Sequence, residues 1–421
     1  MLQPLSSILL SIFCILLGYN LFTSWLNKDK TQIWNPITFL GLTLIYYVIV
    51  PSVSDLSMWG GDTAQNQWVF YLTLVLFYIS VLIGFRSKHK PGFKKWNQLF
   101  TVENSQRIAL ILFLIALACY VPFRGFRTSI SADDATVISE RTGLVSYFID
   151  LIALFVSACC LALVGLKETK DMGFKKRIVI FVILYFTLVM FIVGGFRYRL
   201  VMLLLAMATT YHLYPQPRNV NYKVFVPLAI AAYLLFAVMD SARNYGAGLN
   251  MEAAKSFTLE DASKGAAENA SVCSYSISVT SRMFESGERF GFEPIITAIL
   301  MPIPRMFLPW KPDAEYLRMA EQSVGATGGA AFLGFTEAYT AFGFLGVILY
   351  GLFMGWLAKK IWLNYQYNQN SIGAILLLAL FNGFCCVWIS RGYMAAAFNI
   401  FIYYVVLPFW ITILIRRFSK H

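Results

Sequence analysis

Charge is what this chain has least of. Asp, Glu, Lys and Arg make up 13% of its 421 residues, whereas 58% are hydrophobic. A soluble domain carries about 25% charged residues, so a water-facing surface cannot be assembled from this composition. Histidine is almost missing, with only His89, His212 and His421. The seven cysteines form no CxxC and no Cys/His pairing, which leaves no zinc ribbon and no disulfide framework to expect. No P-loop, Gly-rich dinucleotide turn or GxSxG elbow occurs, and the basic segments hold no DxD. Nucleotide-driven chemistry and serine-hydrolase chemistry therefore lack their usual backbone and side-chain machinery. Nothing in the residues asks for a metal or another cofactor. The first apolar run has neither a basic n-region nor a small-residue cleavage site, and reads as a retained helix.

What is present is a succession of apolar runs. About 20 apolar residues cross about 30 Å of hydrocarbon as a helix, and runs of this kind fall at 6–26, 36–53, 67–85, 106–122, 144–166, 178–195, 200–214, 223–241, 337–358, 371–390 and 395–415. The expected fold is an all-α polytopic membrane protein of about eleven transmembrane helices: eight in residues 1–241, a large outer loop at 242–336, and three more in 337–421. Net charge is +12, but nucleic acid is not the expected partner. The basic residues cluster in short connections, RSKHKPGFKK (86–95), KETKDMGFKKR (167–177), Lys359–Lys360 and Arg416–Arg417. That is the signature of cytoplasmic loops, with attraction to anionic lipid. It sets the N-terminus outside and the C-terminus inside.

The loop at 242–336 is neither low-complexity nor linker-like. Residues 251–268 and 273–286 carry helical spacing of apolar positions. The stretch GFEPIITAILMPIPRMFLP (291–309) is too short and too rich in proline to span, which predicts an interfacial or re-entrant element. A Gly-rich stretch, GATGGAAFLG (325–334), precedes the ninth span.

Cations on the expected outer face are mostly arginine, among them Arg197, Arg199, Arg282, Arg305 and Arg391, with Lys311 one of few lysines. Guanidinium keeps its charge when desolvated and offers a rigid fork of donors matched to phosphate. The group points to an anionic ligand bound from outside; for any single member, a salt bridge to an acidic neighbour is the plainer role. All three histidines fall on the inner side, so a general base at an outer site must be a carboxylate, a tyrosine or water. Glu337 opens the ninth span and Asp240 ends the eighth. Each is either a polar-cavity residue or an ordinary helix-end residue. Trp310, Tyr316, Tyr339 and Phe342 are aromatic candidates for stacking on a sugar ring.

GGFRYRLV (194–201), a long loop with PIPRMFLPWKP (302–312), then FTEAYTAFGFLGVILYGLFMG (335–355), in that order, resemble the Wzy-type oligosaccharide repeat-unit polymerases. The resemblance implies a metal-independent glycosyltransferase of the bacterial inner membrane, acting in O-antigen, lipopolysaccharide or capsule biosynthesis. Donor and acceptor would both be polyprenyl-diphosphate-linked oligosaccharides, with a chain-length regulator and a flippase as companion proteins. The candidates already read from the residues fit this reaction: Arg197, Arg199, Arg305, Lys311, Arg282 and Arg391 for the diphosphate, Glu337, Arg305 and Asp240 for acid–base or electrostatic work, and Trp310, Tyr316 and Tyr339 for glycan contact. The related ligases use an outer-loop histidine, which this chain lacks, so the base stays open. A transporter or flippase of lipid-linked saccharide and a membrane acyltransferase are the competing readings.

Overall fold

A computed structural model describes residues 4–26, 29–53, 66–88, 90, 92–124, 150–168, 174–193, 197–241, 243–244, 248–249, 267–304, 307–310, 331–390 and 392–418. It is helical almost throughout. The helices are α1 (Pro4–Leu26), α2 (Pro36–Val53), α3 (Gln67–Arg86), α4 (Val102–Arg124), α5 (Leu154–Glu168), α6 (Phe174–Val193) and α7 (Arg197–Leu213). They continue with α8 (Tyr222–Ser241), α9 (Ala267–Ser286), α10 (Glu293–Leu300), α11 (Gly334–Tyr367), α12 (Ile372–Ser390) and α13 (Met394–Phe418). Among the described residues, seven helices are long and apolar enough to cross a membrane: α1, α2, α3, α4, α11, α12 and α13. The chain is a helical membrane protein. The all-α expectation has one small departure, a two-residue antiparallel ladder pairing Arg243–Asn244 with Gly248–Leu249.

Helix is the form these apolar runs must take, because hydrocarbon offers no partner for a peptide group and an α-helix satisfies its own. Their positions in the bundle follow from how much of each surface is apolar and small. In α12 every residue but Cys386 is buried, and α2, α5, α7, α11 and α13 surround it. α1 sits at the periphery and bares Ile8, Ile15, Tyr19 and Phe22. α3 and α11 pack closely. Gly351 and Gly355 of α11 face the backbone of α3, and a Cβ at Gly355 would lie 2.8 Å from the Phe85 amide nitrogen and collide with the Val81 carbonyl. Small residues four apart let two backbones approach where lipid supplies no hydrophobic drive.

α11 departs from the expected span at 337–358. It is two helices joined at a break, with Phe342 at φ −137° and Gly343 at φ +62°, ψ −145°. The left-handed φ is one that only glycine adopts at little cost. Residues 334–341 fold back along the helix that follows. A Cβ on Gly334 would lie 2.7 Å from the Tyr350 hydroxyl, one on Gly346 would meet the Ala338 carbonyl, and Tyr339 meets Phe344 edge-on with centroids 5.2 Å apart. In a continuous helix, Ala338 and Gly346 would stand about 12 Å apart. Glu337 therefore belongs to a back-folded half-helix, and the long transmembrane arm begins only after Gly343.

α9 covers the amphipathic stretch 273–286 and packs by its apolar positions: Val272, Cys273, Ser276, Ile277, Val279, Thr280 and Met283 are all buried, against α2, α3 and α11. The Ser276 hydroxyl accepts the Leu333 amide at 2.8 Å, tying α9 to the entry of the half-helix. Residues 251–266, the other amphipathic stretch, lie outside the described residues. The proline-broken stretch does stop short, as α10 followed by turns at Met301–Pro304.

The glycine contact yields a stability prediction. Gly355→Leu should lower the melting temperature of the detergent-solubilised protein, overpacking the α3–α11 contact at a cost of about 1–3 kcal/mol. Gly18→Leu, with nothing within 4 Å of its Cβ position, should leave it unchanged. Equal melting by tryptophan fluorescence would contradict the close contact.

Candidate functional site

One end of the bundle gathers the starts of α5, α7 and α13 around the back-folded half-helix. At its centre is Arg199, in the first turn of α7. A cation there opposes the helix macrodipole, so it needs a partner from elsewhere. Asp150, immediately before the helical turn Leu151–Ala153 that leads into α5, supplies it: Arg199 Nη2 donates to Asp150 Oδ1 at 3.4 Å. The second carboxylate oxygen, Oδ2, accepts Asn399 Nδ2 of α13 at 2.8 Å. Arg199 Nε also donates to the Tyr198 hydroxyl at 3.0 Å, with the guanidinium 5.5 Å from that ring's centroid. Both oxygens of Asp150 are thus occupied in aiming other groups.

Asp150 and Arg199 line a cleft of about 340 Å³, open mouth included, with Phe191, Tyr198, Met202, Ile400, Tyr403 and Tyr404 among its walls. It is narrow and aromatic-walled, with one ion pair. Asn399 Oδ1 is buried and has no hydrogen-bond partner among the described residues.

The second part of the site is Glu337, 1% exposed. Its Oε2 accepts the backbone N–H of Met394, the first residue of α13. Helix starts leave amide groups unpaired and carry partial positive charge, and here a carboxylate from another element meets them. Burial, together with the Glu337 charge, pushes the neighbouring Tyr393 phenol up to about 12, so Tyr393 stays a neutral hydrogen-bond donor at physiological pH. Met394 and Asn399 are about 7.5 Å apart along the helix. The first two turns of α13 therefore hold both carboxylates.

Arg289 braces the half-helix from the side. Its Nη1 donates to the Met283 carbonyl at 2.6 Å, its Nη2 reaches the Tyr339 hydroxyl at 3.4 Å, and its guanidinium stands 4.9 Å from the Tyr339 centroid. Phe290 and Gly291 donate their amides to the Thr340 and Ala341 carbonyls, both at 3.0 Å.

The residues singled out from sequence divide accordingly. Glu337 and Arg199 converge on one end of the bundle through α13. Tyr339 does not offer a ring face to a sugar. It is fully buried, with Arg289 and Phe344 against it. Trp310 is 71% exposed and keeps an open face. Arg282 is exposed on α9 and is not among the cleft-lining residues. Arg197 opens α7 and Asp240 lies near the end of α8, but their side chains fall outside the described ones; Arg305, Lys311, Tyr316 and Arg391 lie outside the described residues. Sequence reasoning passed over Asp150, Tyr198 and Asn399. Asp150 carried a usable signal, an ionisable residue inside an apolar run. Asn399 carried none, since an amide in a span has many uses.

The ion pair predicts a coupling. Asp150→Ala and Arg199→Ala should each lower the melting temperature, and the double variant should melt close to the worse single one. That corresponds to a coupling of about 1–3 kcal/mol in a double-mutant cycle. Strict additivity would show that Asp150 does not hold Arg199. Comparison of the whole chain with protein-family models, with curated proteins and with solved structures gives no match.

Proposed function

We propose that this chain is a membrane glycosyltransferase that joins polyprenyl-diphosphate-linked oligosaccharide repeat units, a polysaccharide polymerase of the Wzy type. Its site end faces the outside of a bacterial inner membrane, and the full set of eleven apolar segments spans it. The observation that carries the reading is a cleft-lining arginine, Arg199, paired with Asp150, whose other oxygen accepts from Asn399 of α13, while a buried carboxylate, Glu337, meets the start of that same helix. The motif order GGFRYRLV, PIPRMFLPWKP and FTEAYTAFGFLG supports it by resemblance.

In the reaction, a hydroxyl of the acceptor's terminal sugar attacks the anomeric carbon of the donor glycan. The new glycosidic C–O bond forms as the bond to the diphosphate breaks, and polyprenyl diphosphate leaves with the electron pair. Negative charge grows on that leaving group, so prepositioned guanidinium groups stabilise the transition state. Arg199 fills this role, joined by Arg197, Arg305, Lys311 and Arg391. The hydroxyl proton passes to a carboxylate, for which Glu337 is the first candidate and Asp240 the second. A nucleotide is not required, because the glycosyl–diphosphate bond supplies the driving force.

The test is a chain-length assay with purified protein and lipid-linked repeat units. Arg199→Ala should lower polymer formation about 10²–10³-fold, the cost of one lost oxyanion-type donor, and Arg199→Lys should restore little of it, since ammonium lacks the fork. Glu337→Gln keeps an acceptor for the Met394 amide but not the basicity, and should fold normally while losing about 10²–10⁴-fold. Full activity in Glu337→Gln would reduce Glu337 to a helix cap. Translocation of the lipid-linked unit without any new glycosidic bond would replace the polymerase by a flippase.

A further inference from the structure

α10 buries one face and bares the other. Pro294, Thr297 and Ala298 are buried, a stripe at helical spacing, and the helix packs on Met394–Phe401, the first two turns of α13. Opposite this stripe, Ile295, Ile296 and Ile299 are 37%, 49% and 57% exposed, preceded by Phe292 at 67%. An exposed apolar group of this density on one short helix is unusual for a surface in water.

The level of α10 is set by what it touches. α13 is one of the helices long and apolar enough to cross a membrane, over Met394–Phe418, so an element lying along its first two turns is at the depth where α13 enters hydrocarbon. α10 starts beside the break in α11, where Phe292 meets Phe342 with centroids 4.9 Å apart. Its eight residues rise about 12 Å, well short of the about 30 Å needed to cross. Phe398, within the stretch of α13 on which α10 packs, is itself 39% exposed.

We infer that α10 is immersed in one leaflet at the site end of the bundle, its bare face covered by the acyl chains of bulk lipid. The first two turns of α13 then touch that lipid-facing helix and also carry the partners of Asp150 and Glu337. The inference depends on the membrane character of the chain and not on the proposed glycosyl transfer, and its readout involves no activity.

The experiment uses the full chain with the partly exposed Cys14, Cys119 and Cys386 replaced by alanine, reconstituted in phosphatidylcholine vesicles. A nitroxide label is attached at Ile296→Cys or Ile299→Cys, and its collisions with oxygen and with a water-soluble nickel chelate are measured by power saturation. Ile15→Cys on α1 serves as the lipid-facing reference and Lys88→Cys as the aqueous one. Both α10 labels should resemble Ile15→Cys, with oxygen access several-fold above nickel access. Nickel access matching Lys88→Cys would put the face in water, and low access to both reagents would mean that protein, such as a second copy, covers it. Either result overturns the inference. Should one label disturb folding, as judged by size-exclusion profile, Ile295→Cys and Phe292→Cys give the same reading.

Discussion

The start of α13 is where this structure has most to satisfy. A helix that begins against protein in a bundle with little polar surface presents amide groups with no intrahelical acceptor, and leaving such a group unpaired costs about 1–3 kcal/mol. Glu337 answers the first of them at Met394. For that carboxylate to arrive, the chain before the long arm of α11 must come back on itself, which requires the left-handed turn at Gly343. The half-helix in turn needs a place to lie, between α3 and α9, with Phe335 against Phe70 and Phe77. One unmet backbone requirement thus runs outward through a turn, a hairpin and a helix pair.

The same helix start organises the charged residues. Asp150 and Arg199 come from different helices and meet next to α13, where Asn399 takes the remaining carboxylate oxygen. Paired in this way, each ion is less costly to desolvate than it would be alone. A shared helix also couples the two carboxylates mechanically, because any shift of the first two turns of α13 moves the partners of Glu337 and Asp150 together. That places the polar groups on one rigid support.

Polar pairing is also used to hold the opposite end of the bundle. Asn97 and Asn364 exchange side-chain amide hydrogen bonds at 2.8 and 2.9 Å, and the Ser371 hydroxyl donates to the Asn97 carbonyl at 2.7 Å. These contacts join the short helical turn Lys94–Asn97 to the last turns of α11 and to the connection between α11 and α12. Reciprocal amide pairs satisfy both partners without a charge, which suits buried connections between apolar helices.

Much of this was legible in the order of residues. Apolar runs of spanning length become helices because hydrocarbon admits no other way to satisfy a single strand of backbone, so the helical segments fell close to where the runs are. The stop of the proline-broken stretch after Leu300 follows equally from local chemistry. Glu337 and Arg199 stood out because an ion near an apolar run demands a partner. What no local pattern contains is which partner answers. Arg199 is 49 residues from Asp150, and Glu337 is 57 from Met394, so these pairings exist only once α5, α7, α11 and α13 are side by side. The burial of Cys273 and Tyr339 and the back-folding at Gly343 belong to the same class. The sequence by itself determined that the chain is a membrane helix bundle and which residues are too polar to be left alone in it. Only the tertiary structure decided which of them meet, because hydrogen bonds and ion pairs are settled by distances in space, and these distances depend on helix packing rather than on spacing along the chain.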